Sequence, residues 1–266
     1  MNEEFLEISV SELSTLVEKY GVLNNLKKLD LSQKVDDNNV KELEKIIPNL
    51  PNMEELSFCA CLKLSHLPNN IHQLSQLKIL DLAECESLKE LPENIMQLKE
   101  LQILNLFDCK TLSSLPENIG LLKNLKALNI SFTDIKKLPE TMGELQNLEY
   151  LSIKLNNLSS FPNSMKNLKK LTKFGILIDE EIHIHLLNET VKLLPHIEVL
   201  NFIASEFLVK LPNSVFRLKS LRRILAVDTN LHISPTDKKK LPSNCEIIFD
   251  YQQSQQIQEE EGMFYD

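Results

Sequence analysis

Positive charge is in short supply in this 266-residue chain: 29 Lys and Arg stand against 38 Asp and Glu, a formal net charge of −9. Nucleic acids demand a basic surface, so this balance argues against them as partners. Lys238-Lys239-Lys240 and the lysines from Lys166 to Lys173 are the only basic clusters, and they read as solvated charge. Glycine is scarce too, with five in all, which leaves little material for phosphate-cradling loops. No apolar run approaches the roughly 20 residues that cross a bilayer. The opening Met1-Asn2-Glu3-Glu4 is acidic where a secretory signal is basic. Residue 2 is Asn rather than Gly and Met263-Phe264-Tyr265-Asp266 holds no Cys, so the myristoyl and prenyl motifs are missing. Nucleophile elbow, phosphate loop, zinc-protease helix and kinase motifs are likewise missing. The expectation is a cytoplasmic chain without membrane insertion, catalytic residues, cofactor or metal.

What is present is an apolar supply sufficient for a continuous core, 42% hydrophobic against 25% charged. It is laid out periodically. Leu-Pro recurs at Leu67, Leu91, Leu115 and Leu138, with Phe161-Pro162 next, in steps of 24, 24, 23 and 23 residues. Each unit follows Leu-Pro-x-x-Ile-x-x-Leu-x-x-Leu-x-x-Leu-x-Leu, as in Leu91, Pro92, Ile95, Leu98, Leu101, Leu104 and Leu106. The three-residue spacing suits a short helical or 3-10 turn, and the closing Leu-x-Leu suits a strand with one buried face. Degenerate copies extend the pattern, placing nine strands at Leu29, Leu56, Leu80, Leu104, Leu128, Leu151, Phe174, Leu200 and Ile224. Cys245 to Tyr251 supplies a closing tenth.

These units identify residues 16 to 250 as resembling leucine-rich repeat proteins, especially intracellular ones with Leu-Pro-x-x-Ile-x-x-Leu units. The resemblance implies an α/β solenoid, a curved horseshoe with a parallel sheet on its concave face and short α or 3-10 helices on its convex face. Residues 1–20 are expected as a partly helical cap, 16–251 as the solenoid, and the Gln- and Glu-rich 252–266 as a mobile acidic tail. Glu259-Glu260-Glu261 before Met263-Phe264-Tyr265 also resembles the carboxyl-terminal signals of bacterial type IV secretion substrates. That likeness implies delivery into a host cell, where such effectors bind host proteins or restrain other effector enzymes.

The repeat absorbs most residues that look chemical. Cys61, Cys85 and Cys109 are one repeat apart and share a column with Thr133, Asn156 and Thr229. They read as buried, reduced thiols serving backbone groups where the chain leaves the strand. His183 and His185 behind Glu180 and Glu181 could ligate metal if strand alternation puts both rings on one face; a stretched, irregular repeat is the simpler account. Glycosylation tripeptides begin at Asn129, Asn157 and Asn188, but Asn129 falls in mid-strand.

Function is therefore sought among strand residues alternating with the buried leucines. Asp81, Glu84, Phe107, Asp108, Phe132, Tyr150, Lys154, Leu155, Lys173, Leu177, Ile203 and Arg223 are the candidates for binding a partner on the concave face. Phe107, Phe132, Tyr150, Leu155 and Leu177 are expected to form one apolar stripe, with Asp81, Glu84 and Asp108 on one side and Lys154, Lys173 and Arg223 on the other. On this reading, Phe107→Ala with Tyr150→Ala weakens partner capture. The chain reads as a non-catalytic protein-binding module, monomeric when free, whose partner is a host protein or another effector enzyme. An extracellular receptor fragment and an adaptor in a ubiquitin-ligase or signalling complex are the alternatives.

Overall fold

A Leu-x-Leu segment becomes a strand here because one of its sides can be buried by stacking neighbours and the other cannot. The computed structural model describes residues 3–155, 158–178, 184–202 and 204–263. Among them, eleven short strands pair in chain order in one open sheet. These are β1 (Phe5–Glu7), β2 (Lys28–Asp30), β3 (Glu55–Ser57), β4 (Ile79–Asp81), β5 (Ile103–Asn105), β6 (Ala127–Ile130), β7 (Tyr150–Lys154), β8 (Lys173–Leu177), β9 (Val199–Asn201), β10 (Arg223–Leu225) and β11 (Glu246–Ile248). Every adjacent pair is parallel, and Leu6, Leu29, Leu56, Leu80, Leu104, Leu128, Leu151, Phe174, Leu200, Ile224 and Ile247 fall in one cross-strand column. The column is the spine of the core, and each buried Leu contributes roughly 2 kcal/mol.

The returning segments are 3-10 turns at Ile71–Gln73, Glu93–Gln97, Ile119–Leu121, Glu140–Glu144, Asn163–Asn167 and Val215–Arg217. Proline before the turn fixes its entry, as at Pro92 with φ −66°. In the stretched repeat a full helix, α3 (Ile184–Leu193), takes the place of the turn. The remaining helices up to β11 are α1 (Val10–Tyr20), α2 (Val40–Ile46) and α4 (Pro235–Lys238). α1 starts with a capping box in which Glu12 N–H donates to Ser9 Oγ at 3.3 Å and Ser9 N–H donates to Glu12 Oε2 at 2.8 Å.

Ahead of α1, Phe5–Glu7 adds a strand to the amino-terminal cap and pairs with β2. One expectation needs correction. The acidic tail is a helix, α5 (Tyr251–Glu261), where mobility is expected from composition. Asp250 caps it by accepting from Gln253 N–H at 2.8 Å, and Gly262 ends it in the left-handed conformation at φ +65°. Its weak local hydrophobicity is offset by where it lands. Ile257 and Met263 pack with Ala127, Tyr150, Val199, Leu225 and Ile248 in a cluster separate from the solenoid core. That cluster lies on the free face of the sheet.

Candidate functional site

The free face begins with a column of side chains that serve their own backbone. Asp30, Ser57, Asp81, Asn105 and Asn129 each accept a hydrogen bond from the N–H two residues on, at 2.8, 3.2, 3.1, 3.2 and 3.0 Å. These are Asx-type turns that steer the chain off the strand. Asp81, a candidate for partner contact, is thus a turn-former. Burial raises its pKa, with the Asp30 carboxylate adding to the effect against hydrogen bonds that oppose it. A carboxyl whose folded pKa is raised costs stability once ionised, above the unfolded value of 3.8. Asp81→Asn keeps the acceptor and removes the charge. We expect it to raise stability at neutral pH, with the gain vanishing below pH 3.8, as urea titrations at both conditions would show.

The next column is left-handed. Gln33, Ala60, Glu84, Asp108, Phe132, Ala204 and Asp228 have φ between 52° and 60°. Most are residues that tolerate this region or leave it solvated; Phe132, bulky and at φ 56°, is the outlier. Its ring meets Phe107 edge to face, centroids 5.3 Å apart and planes at 71°. Both rings remain partly exposed. Glu84 is exposed, and Asp108 reaches Lys110 at 3.3 Å. Asp108, Phe132 and Lys154 share one surface depression with Lys110, Thr133 and Asp134. Of the candidates, then, Phe107, Phe132, Asp108 and Lys154 come together, with Glu84 nearby in the left-handed column.

The remainder of the expected stripe is not open. Leu155 is 0% exposed and belongs to the solenoid core. It lacks the left-handed turn of its neighbours because β7 and β8 run on, and its N–H donates to Leu177 O at 3.0 Å. Tyr150 is 1% exposed in the cluster with Ile257 and Met263, and Leu177 is also buried. The combination of Phe107→Ala with Tyr150→Ala therefore mixes an open residue with one packed in the α5 contact. Ile203 lies outside the described residues.

Lys173 and Arg223 are engaged by α5. Arg223 Nη1 donates to Glu261 Oε1 at 2.6 Å, Arg222 Nη2 donates to Glu261 Oε2 at 2.9 Å, and Lys173 Nζ lies 3.6 Å from Oε2 while donating to the Glu261 carbonyl. Glu198 and Glu246 face the same arginines at 3.1 and 3.4 Å. Asn201 Nδ2 donates to Gln258 Oε1 at 3.3 Å. Sequence reasoning missed Arg222 and Gln258, and read Glu261 only as part of the tail's glutamate run; the available signal was an Arg doublet in a chain whose tail carries that run. The Arg222 hydrogen bond, with the charges of Lys173 and Arg223, holds the Glu261 carboxyl below its ordinary range despite burial. A depressed carboxyl stabilises the docked helix above the ordinary value of 4.5 and loses that contribution as pH falls through the lower docked value. Amide exchange of residues 251–263, corrected for intrinsic rates, should therefore accelerate below pH 4.5, and more in wild type than in Glu261→Gln.

The cysteine column behaves as a backbone device. Cys61, Cys85 and Cys109 donate from Sγ to the carbonyls of Leu31, Phe58 and Leu82 at 3.3, 3.2 and 3.1 Å. Ser205 likewise reaches back one repeat to Ile176 O, whereas Thr133 and Thr229 donate to Ile130 O and Ala226 O within their own repeats; Asn156 lies outside the described residues. All five cysteines are free, and burial pushes the Cys109 thiol up to about 12 and that of Cys59 to about 11. Such thiols are poor nucleophiles. His185 sits on α3 rather than on a strand, and Glu180, Glu181 and His183 lie outside the described residues. Among the described residues, no group of three or more His, Cys, Asp or Glu is placed to hold a metal, and no helix is long and apolar enough to cross a membrane. Asn129 and Ser131 are 0% and 1% exposed, so a glycan on this tripeptide is incompatible with the fold.

A family model described as a leucine-rich repeat region matches residues 107–182. No curated protein matches the sequence. Among solved structures, the chain is similar to the TLR13–ssRNA13 complex at a TM-score of 0.63 and 22% identity, covering 92% of this chain and 35% of that one. It is similar to the internalin InlF of Listeria monocytogenes at 0.51 and 16%, covering 85% and 60%. The leucine-rich repeat domain of the type III effector XopL follows at 0.50 and 22%, covering 77% and 71%. The chain thus spans 60% of the internalin and about a third of the TLR13 chain. With one register running through eleven parallel strands and a short turn or helix behind most of them, the chain folds as a leucine-rich repeat solenoid.

Proposed function

We propose that the chain is a non-catalytic protein-interaction module that captures a protein partner on the open half of the sheet's free face. The observation that carries this reading is the Phe107–Phe132 pair, half-exposed and built partly on strained backbone. A residue kept in a costly conformation is kept for a reason other than folding, and exposed aromatics in a cluster are typical binding anchors. Glu84 and Asp108 beside the pair favour a partner segment that is apolar at its centre and basic at its edge. Affinity capture with mass spectrometry, run on wild type and on Phe107→Ala with Phe132→Asn, tests it. Partners lost from the variant support the reading; recovery of the same partners in the same amounts refutes it.

The finer version of the reading is a bacterial effector that restrains a host protein or another effector enzyme. Its support is the run Glu259-Glu260-Glu261, of which Glu259 and Glu260 are exposed while Glu261 is engaged by the sheet. A translocation reporter fused ahead of the chain should enter host cells, and should fail to do so when Glu259 and Glu260 are replaced by Ala.

A further inference from the structure

The half of the free face beneath α5 is a groove that the chain fills for itself. Its floor is apolar, formed by Ala127, Tyr150, Val199 and Leu225, and its rim is cationic, formed by Lys173, Arg222 and Arg223. α5 meets it with few side chains: Ile257 and Met263 on the floor, Glu261 on the rim and Gln258 on Asn201. Tyr251, Gln252, Gln253, Gln256, Glu259 and Glu260 face solvent. The fit is incomplete, since Ser254 Oγ is buried without a hydrogen-bond partner among the described residues. Only Phe249 and Asp250 join β11 to α5, so a helix that lets go stays beside its groove at high effective concentration. Sparse contacts and an imperfect fit describe an occupant that can be exchanged, and the short tether sets the competition a partner helix must overcome.

We propose that this groove is a docking site for an acidic amphipathic helix of a partner protein, with α5 as the resident helix that the partner displaces. The chemistry of the occupant follows from the groove. It must present a carboxylate to Lys173, Arg222 and Arg223, and apolar side chains spaced as Ile257 and Met263 are. A basic or uncharged helix would leave Lys173, Arg222 and Arg223 without the Glu261 carboxylate, with only Glu198 and Glu246 still facing the two arginines, which is unfavourable for partly buried cations. An incoming helix meets only the molecules whose groove is open, so its apparent affinity is reduced by that fraction. The inference rests on the reading that the free face binds proteins, but uses residues separate from Phe107 and Phe132.

The test uses the full-length chain and, as probe, a fluorescent synthetic peptide of residues 249–263 followed by anisotropy. Ile257→Asp with Glu261→Arg should release α5 and raise the affinity for the probe about tenfold or more over wild type. An unrelated helical peptide keeping only the Ile, Glu and Met positions should bind the released chain as well, and a probe carrying Lys in place of Glu261 should not. Adding Arg222→Glu and Arg223→Glu should abolish binding. Adding Phe107→Ala should leave it unchanged, so failure here is distinguishable from failure of the Phe107–Phe132 site. Hydrogen exchange at residues 251–263 reports release, and circular dichroism reports that the solenoid is intact. A released, folded chain that ignores the probe, or takes the Lys probe equally well, overturns the proposal. So does a helix that stays fully protected in the double variant, because it would then be a fixed part of the fold.

Discussion

Gly143→Val should destabilise the solenoid by about 3 kcal/mol or more, the largest effect expected of any single substitution on its convex side. A Cβ on Gly143 would lie 2.3 Å from the carbonyl oxygen of Ser164 and 2.6 Å from its carbonyl carbon. Those atoms are backbone of the next repeat and cannot rotate away. Gly120 is in the same position one repeat earlier, with the Thr141 carbonyl oxygen at 2.3 Å. Aligned neighbours carry His72, Met96 and Lys166, so the position does not demand glycine in every repeat. Both glycines stand in the two repeats that are 23 rather than 24 residues long, where the turns of successive repeats must approach more closely. Because each repeat is held by its neighbours, a wedge here should also divide the array. Urea denaturation followed by circular dichroism should show a lowered midpoint and a shallower, less cooperative transition. Lys166→Ala, at the exposed equivalent, should change stability by less than about 0.5 kcal/mol.

Phe107→Ala with Phe132→Asn should reduce partner affinity about a hundredfold while leaving fold stability within about 1 kcal/mol of wild type. The opposing terms at Phe132 nearly cancel in the folded chain. Relief of a left-handed bulky residue is worth roughly 1–2 kcal/mol, and loss of the edge-to-face contact costs roughly 0.5–1.5 kcal/mol. Binding has no such compensation, since an aromatic anchor truncated at the centre of an interface commonly costs 2 kcal/mol or more. Titration calorimetry on a captured partner, with thermal melts of the same proteins, separates the two effects. A variant that binds normally, or loses binding only because it melts, contradicts the assignment.

The same pair shows where sequence reasoning succeeds. A fixed period determines which leucines are buried, so the strand register and the cysteine column can be read directly from spacing. Phe107 and Phe132 lie just past β5 and β6, and it is the left-handed turn of the repeat, rather than alternation, that leaves Phe132 on the surface. Alternation fails where the local backbone departs from the repeat. Leu155 occupies the left-handed column by alignment, but β7 extends through Lys154 and carries Leu155 into the core. Tyr150 is correctly placed on the free face, yet exposure depends on a segment about a hundred residues away whose composition argues for disorder. Asp250 and Gly262 mark the ends of α5 locally, but nothing in Tyr251 to Glu261 predicts its docking, which depends on an apolar floor and three cations distant in the chain. The glycine constraint at Gly143 is equally non-local, being set by the Ser164 backbone one repeat on.

The free face is divided, one half open around Phe107 and Phe132 and the other closed by α5. Hydrogen exchange of the full-length chain tests this most directly. Slow exchange is expected for the Ser254, Gly262 and Met263 amides, which donate to Asp250 O, Glu259 O and Gln258 O at 3.0, 3.1 and 2.8 Å, with protection lost in Glu261→Arg. Exchange of residues 251–263 at random-coil rates in the wild-type chain would contradict it.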